Sequence, residues 1–190
     1  MKTTNIMIVG VGGQGSLLAS KLLGRLLMNE GYDVKVSEVH GMSQRGGSVV
    51  TYVRYGEKVY SPIIDKGEAD FIISFEKLEA ARYAQYLKTD GKIIVNAQEI
   101  EPMPVITGAA VYPHAVLDNL SAKGVSIDEV EALDLALAAG TVKAVNIVLM
   151  GRLSKLMPIA KEKWIEAIKQ TVAPKFAPMN VKAFELGRGE

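Results

Sequence analysis

Cysteine is absent from this chain of 190 residues, which removes disulfides, thiolate nucleophiles and cysteine-ligated iron-sulfur clusters in one step. Histidine is nearly absent too. His40 and His114 stand far apart and outside any His-x-x-x-His spacing, so no metal site is expected. No apolar run approaches the roughly 20 residues of a membrane span, and no signal-peptide core precedes the first strand-like run, so a cytoplasmic protein is expected. An excess of one charge is missing as well. Lys and Arg number 22 against 21 Asp and Glu, a net charge of +1, which leaves no basic field or polybasic tail to attract nucleic acid. What remains is 48% hydrophobic and 23% charged, a balance that suits one globular domain spanning residues 1–190 with a sizeable core.

The stretch IMIVGVGGQG, residues 6–15, organises the rest. Gly10, Gly12 and Gly15 fit Gly-x-Gly-x-x-Gly, with Gly13 in addition, so backbone N–H groups can approach an anion or another chain with no Cβ in the way. An amphipathic helix follows from Ser16 to about Asn29, with Leu17, Leu18, Leu22, Leu26 and Leu27 as its apolar face, and a run of apolar residues precedes it. The strand, loop and helix order that the motif requires is therefore present. A second run, DVKVSE at residues 33–38, completes a βαβ unit, and Glu38 ends it about where a dinucleotide-binding unit places its ribose-binding acid, roughly 20 residues on. A stand-alone NAD- or FAD-binding oxidoreductase has to be weighed on that ground.

The next loop argues for something else. HGMSQRGGS, residues 40–48, sets the amide of Gln44 and the guanidinium fork of Arg45 among Gly41, Gly46 and Gly47. Its bland reading is a surface turn. Its functional reading is a planar, bidentate contact from Arg45 to a carboxylate, a phosphate or a partner chain. Right-handed crossover of the βαβ unit places both glycine-rich loops on the same, carboxyl edge of the sheet, where open α/β sheets bind ligands.

Farther on, alternation predicts a hairpin of residues 49–55 with 59–61, which makes the sheet mixed. A buried strand over 69–75, a helix over 76–87, a turn at 89–91 and a strand over 92–96 resume the βαβ rhythm. Residues 105–111 pass as another strand, a helix runs from 113 to 122, and 125–132 reads equally as a strand or a first helical turn. Helices follow over 133–139, with Gly140 as the residue after its end, over 142–157, and over 161–171, with Trp164 pointing inward. The tail carries Val181, Phe184 and Leu186, which need burial against the sheet or against another subunit. The expected architecture is an α/β, three-layer Rossmann-like sandwich with a mostly parallel, mixed sheet.

Four pieces, GVGGQG (residues 10–15), VSEVHGMSQRGGSV (36–49), EKVYSPII (57–64) and NVKAFELG (180–187), resemble the gamma-type subunit or domain of 2-oxoacid:ferredoxin oxidoreductases, with the indolepyruvate branch of that family nearest. Residues 126–131, SIDEVE, are more acidic than the corresponding strand of the family. The resemblance implies an enzyme that converts an aryl-2-oxoacid and coenzyme A to an aryl-acetyl-CoA, with release of carbon dioxide and reduction of ferredoxin. It implies no cofactor in this chain: thiamine diphosphate, Mg and iron-sulfur clusters belong to a larger alpha subunit, the expected partner. That division agrees with the lack of cysteine and of the Gly-Asp-Gly signature of a thiamine diphosphate site. The residues expected to meet the partner, the substrate or CoA are Gly10, Gly12, Gly13, Gln14, Gly15, Gln44, Arg45, Gly46 and Gly47. Arg45 and His40 are the candidates for direct contact with the reacting molecules.

Overall fold

The computed structural model describes residues 3–38 and 47–189. Strand β1 (Thr4–Val11) is the hub, because its alternating side chains feed both sides of the sheet. Ile6 and Ile8 enter one core with Leu22, Leu26, Ile147 and Trp164, whereas Met7 and Val9 enter the other with Ile72, Ala80, Ile93 and Leu117. Helix α1 (Ser16–Asn29) and strand β2 (Asp33–Glu38) follow, then β3 (Ser48–Gly56) and β4 (Ala69–Ser74). The sheet is completed by β5 (Leu87–Asn96) and β6 (Ser126–Val130) in the order β2-β3-β1-β4-β5-β6.

β3 is antiparallel to both of its neighbours, and every other pairing is parallel, so the sheet is mixed and mostly parallel. α1 joins α5 (Ala132–Ala139), α6 (Val145–Ser154), α7 (Lys161–Thr171) and α8 (Ala177–Arg188) around the larger core. α2 (Lys77–Tyr83) and α4 (Val116–Ala122) cover the other face. The three-layer expectation holds.

Several local expectations give way, each for a physical reason. The hairpin return over 59–61 does not form, because both edges of β3 are already taken, by β1 and β2. The chain instead crosses as a strap held by Arg54, whose Nη1 donates to the carbonyls of Ser61 (3.0 Å) and Ile63 (2.8 Å), while Asp33 accepts from the Val59 N–H (2.9 Å). The turn residues 89–91 lie inside β5 as a register shift, with Ala69 opposite Leu87 and Phe71 opposite Lys92. Gly91 is required there, since a Cβ would sit 2.9 Å from the Ala69 carbonyl oxygen. The strand expected over 105–111 is replaced by the short helix α3 (Met103–Ile106), with a proline in its first turn, where fixed φ favours a helix start. The helix expected over 76–87 stops at Tyr83 and tightens into a 3-10 turn, and the one over 142–157 opens with a 3-10 turn and closes at Ser154. The ambiguous 125–132 stretch resolves as β6 followed by α5.

The tail packs back on the chain. α8 lies on α5, α6 and α7, with Phe184 fully buried and stacked on Trp164 at 5.9 Å between ring centroids. Gly151 of α6 and Gly187 of α8 make the close approach possible: a Cβ on Gly187 would lie 2.1 Å from the Val148 carbonyl oxygen, and one on Gly151 would lie 2.2 Å from that of Phe184.

Candidate functional site

Where the strand order doubles back, between the carboxyl ends of β1 and β4, an open α/β sheet offers its ligand crevice. Here amide side chains stitch the strand ends together, and a cavity of about 510 Å³ stays open beside them, lined by Gly13, Gln14, Gly15, Gln98 and Asn146. The Gln14 carbonyl accepts from Val11 N–H (2.7 Å), and its amide donates to the Phe75 carbonyl (3.1 Å), so the side chain bridges β1 to the end of β4. Asn96 extends the stitching: its amide donates to Phe75 (3.2 Å) and to Gln98 (3.2 Å), and its carbonyl receives the Ala132 N–H (3.2 Å). Three amides thus tie the carboxyl ends of β1, β4 and β5 to the start of α5.

The glycines divide by role. Gly10 is demanded from inside, because a Cβ would meet Gln14 at 2.8 Å and Phe75 at 2.9 Å. Gly15 adopts φ +91 as the residue before α1, and Asn146 donates to its carbonyl at 3.1 Å. Gly13 differs: it has φ +100, is exposed, and a Cβ would meet nothing within 4 Å. Gly12 N–H donates to the Gly47 carbonyl at 2.8 Å, which brings the last residues of the second glycine-rich loop onto the first. The expected residues Gly10, Gly12, Gly13, Gln14, Gly15 and Gly47 therefore converge at one edge. His40, Gln44, Arg45 and Gly46 lie outside the described residues.

A cavity of about 280 Å³ opens beside this loop, between Gly12, Gly13, Ser16, Glu38 and Thr51. Glu38, the candidate ribose acid, receives the Ser20 hydroxyl, and the antiparallel β3 separates β2 from β1. In a dinucleotide-binding unit those two strands are neighbours. With those strands held apart, the geometry does not favour a stand-alone NAD or FAD site.

A second cluster escaped the sequence reading. Glu76, 1% exposed at the end of β4, caps α2 by accepting from Glu79 N–H (2.9 Å), and its other oxygen takes the Ile100 N–H (3.2 Å) and the Tyr112 hydroxyl. Tyr112 in turn accepts from Leu78 N–H (3.2 Å). Burial, reinforced by the Glu76 carboxylate, pushes the Tyr112 phenol far above its ordinary value, so it stays a donor. Glu79 pairs with Arg82 (3.0 Å) and receives the hydroxyl of Ser48, the last residue of the second glycine-rich loop. The legible signal was Glu76-x-x-Glu79 just after an apolar run, the spacing of a reciprocal helix cap.

This cluster fixes the root of a conspicuous excursion. From Pro102 to Pro113 the chain carries no charged residue, yet Met103, Ile106 and Val111 are 65%, 61% and 86% exposed. Leu17 and Val142 add exposed apolar area on the same edge of the sheet. Among the described residues no group of His, Asp and Glu is placed to hold a metal ion, and no helix is long and apolar enough to cross a membrane.

Fold and site together define a Rossmann-like α/β domain whose strand ends are tied together by amide side chains and which, among the described residues, exposes apolar side chains at its carboxyl edge. The chain belongs to the pyruvate ferredoxin/flavodoxin oxidoreductase family, whose model matches residues 5–190. It is 46% identical to the indolepyruvate oxidoreductase subunit IorB of Thermococcus kodakarensis and 45% identical to that of Pyrococcus horikoshii, in each case over 98% of this chain and 95% of the relative. The keto/oxoacid ferredoxin oxidoreductase gamma subunit of Geobacter sulfurreducens shares the fold with a TM-score of 0.71 at 21% identity, over 97% of this chain and 95% of that one.

Proposed function

We propose that this chain is the cluster-free subunit of an indolepyruvate (arylpyruvate) ferredoxin oxidoreductase. It docks through the carboxyl edge of its sheet on a larger subunit that houses thiamine diphosphate, Mg and the iron-sulfur clusters. The observation that carries the reading is the 45–46% identity, over nearly the whole of both chains, to subunits of that name. This chain offers no thiolate ligand to an iron-sulfur cluster, since it has no cysteine. Within the complex, thiamine diphosphate supplies the electron sink that decarboxylation requires.

The part left to this chain is positioning. Gln14 holds the glycine loop in one shape, so that Gly12 and Gly13 present backbone to a neighbour at close range. Met103, Ile106 and Val111 supply the apolar area that a stable interface buries at its centre. Arg45, with Gln44 beside it, orients a 2-oxoacid carboxylate, a CoA phosphate or a carboxylate of the partner through its planar fork. His40 donates a hydrogen bond there without acting as a base. The chemistry balances across the assembly: the 2-oxoacid loses carbon dioxide, the CoA thiol gives up its proton as the thioester forms, and the electron pair passes one electron at a time to ferredoxin.

The test is to isolate the protein from its native source and identify what accompanies it. A constant ratio to a larger, cysteine-rich chain that carries iron, sulfide and thiamine diphosphate is expected. Recovery as a free chain with no such companion would overturn the reading.

A further inference from the structure

Strand β2 is the outer strand of the sheet and pairs with β3 alone. On its other side no backbone N–H or C=O of residues 33–38 finds a partner among the described residues. Six residues of open edge extend roughly 20 Å. Natural edges are blunted by lysine, proline or a bulge. This one has no proline and no bulge, and its lysine, Lys35, is drawn back onto Asp33 at 2.6 Å.

Beside the edge runs a groove of about 570 Å³ between β2 and α1, lined by Lys21, Arg25, Met28, Val36, Glu38 and Thr171. Gly24 keeps its floor low: the nearest atom to a Cβ there would be Val36 Cγ2, at 3.8 Å. Lys21 and Arg25 sit one helical turn apart, both exposed, and neither has an ion-pair partner among the described residues. The groove's own acid, Glu38, is engaged by Ser20. Met28 and Val36, 61% and 42% exposed, add an apolar strip between the two cations and the strand.

We propose that the β2 edge and the α1 groove receive an extended acidic segment of the larger subunit, added as a seventh strand. The inference rests on the docked-subunit reading above. Strand addition satisfies the free N–H and C=O groups of β2, and the two-residue period of the incoming strand directs alternate side chains into the groove. Carboxylates on that face meet Lys21 and Arg25, and an apolar residue between them meets Met28 and Val36. Glu38 lines both this groove and the cavity beside Gly12 and Gly13, so a segment laid along β2 runs directly to the glycine loop. A second copy of this chain is a poorer occupant. The β2 it would bring has only Asp33 and Glu38 as acids, and these are held by Lys35, Lys58 and Ser20.

Three readouts on the assembled pair decide the matter. In hydrogen exchange followed by mass spectrometry, peptides covering 33–38 should exchange at least about tenfold more slowly in the complex than in the free chain. Zero-length carbodiimide coupling should join Lys21 to an Asp or Glu of the larger subunit. The Lys21→Glu, Arg25→Glu double variant, which leaves the core untouched, should weaken subunit association about tenfold or more while the free chain melts as before. A complex that forms with β2 exchanging as fast as in the free chain overturns this inference and leaves the docked-subunit reading standing. Failure of any complex to form overturns both. A free chain that is dimeric and already protected over 33–38 assigns the edge to a second copy and also overturns it.

Discussion

Gly187 lies in the last third of α8, and an alanine there should gain helical stability on propensity alone, about 1 kcal/mol. The structure predicts the opposite outcome. The added Cβ would lie 2.1 Å from the Val148 carbonyl oxygen and 2.7 Å from its Cα, atoms of the α6 backbone that no rotamer change can move. Restoring an ordinary contact requires α8 to retreat from α6 by about 1 Å, and such a gap forfeits a quarter to a half of the dispersion energy along the contact. Phe184, three residues earlier on α8 and stacked on Trp164, moves with it. Overpacking of this kind costs up to about 3 kcal/mol, which leaves a net loss of about 2 kcal/mol after the propensity gain. For a domain of this size the melting temperature should fall by about 4–8 °C. Gly24→Ala is the control: in α1 the new methyl would meet only Val36 Cγ2 at 3.8 Å, so the propensity gain survives and the melting temperature should rise by about 2–4 °C. Thermal unfolding followed by far-ultraviolet circular dichroism and by the fluorescence of Trp164, the one tryptophan and fully buried, reads both. A Gly187→Ala protein that melts at or above the unsubstituted chain would refute the close-crossing argument.

Tyr112→Phe removes the hydroxyl shared by Glu76 and Leu78, and should cost about 1–3 kcal/mol and expose residues 97–112 to limited proteolysis; an unchanged cleavage rate would deny the clamp its role. Asp33 is held at a pKa of about 2, against an ordinary 3.8, chiefly by its hydrogen bond from Lys35 and then by that from Val59 N–H. A depressed carboxylate stabilises the fold above its unfolded value and loses that contribution as pH falls, so Asp33→Asn should flatten the pH dependence of stability between about 4 and 2, as measured by urea midpoints across that range. In the assembled enzyme, Arg45→Ala should lower turnover or subunit affinity tenfold or more, and Arg45→Lys should recover little of it, because an ammonium lacks the planar fork. Steady-state kinetics and titration of the two subunits read this, and two unchanged constants would make Arg45 an ordinary surface residue.

Much of this molecule is legible in its sequence because the signals are local. The glycine pattern at residues 10–15, the amphipathic repeat of α1 and the inward spacing of Trp164 each depend on neighbours within a few positions; Leu22, Leu26, Leu27 and Trp164 are buried as read, whereas Leu17 at the start of the helix is exposed. The hairpin over 59–61 was misread because pairing is a contest between distant segments: β3 alternates as a hairpin strand should, but β1 and β2 claim both of its edges. The 105–111 stretch failed differently. Its β-branched residues favour a strand, yet Pro102 and Pro104 set the backbone for a helical turn. At the candidate site the sequence marks Gln14 and the glycines, but not that the Gln14 amide is spent on Val11 and Phe75. Only the three-dimensional meeting of β1 and β4 reveals that use. Glu76 and Tyr112 are 36 positions apart, and no periodicity links them.

The central claim, that this chain works as the positioning subunit of an arylpyruvate oxidoreductase and not as an enzyme alone, is tested most directly by reconstitution. Arylpyruvate- and CoA-dependent reduction of ferredoxin or a viologen dye is measured with this chain, with the larger subunit, and with the two mixed. Activity should appear on mixing and saturate at a fixed subunit ratio. Activity from this chain alone, or full activity from the larger subunit without it, would contradict the account.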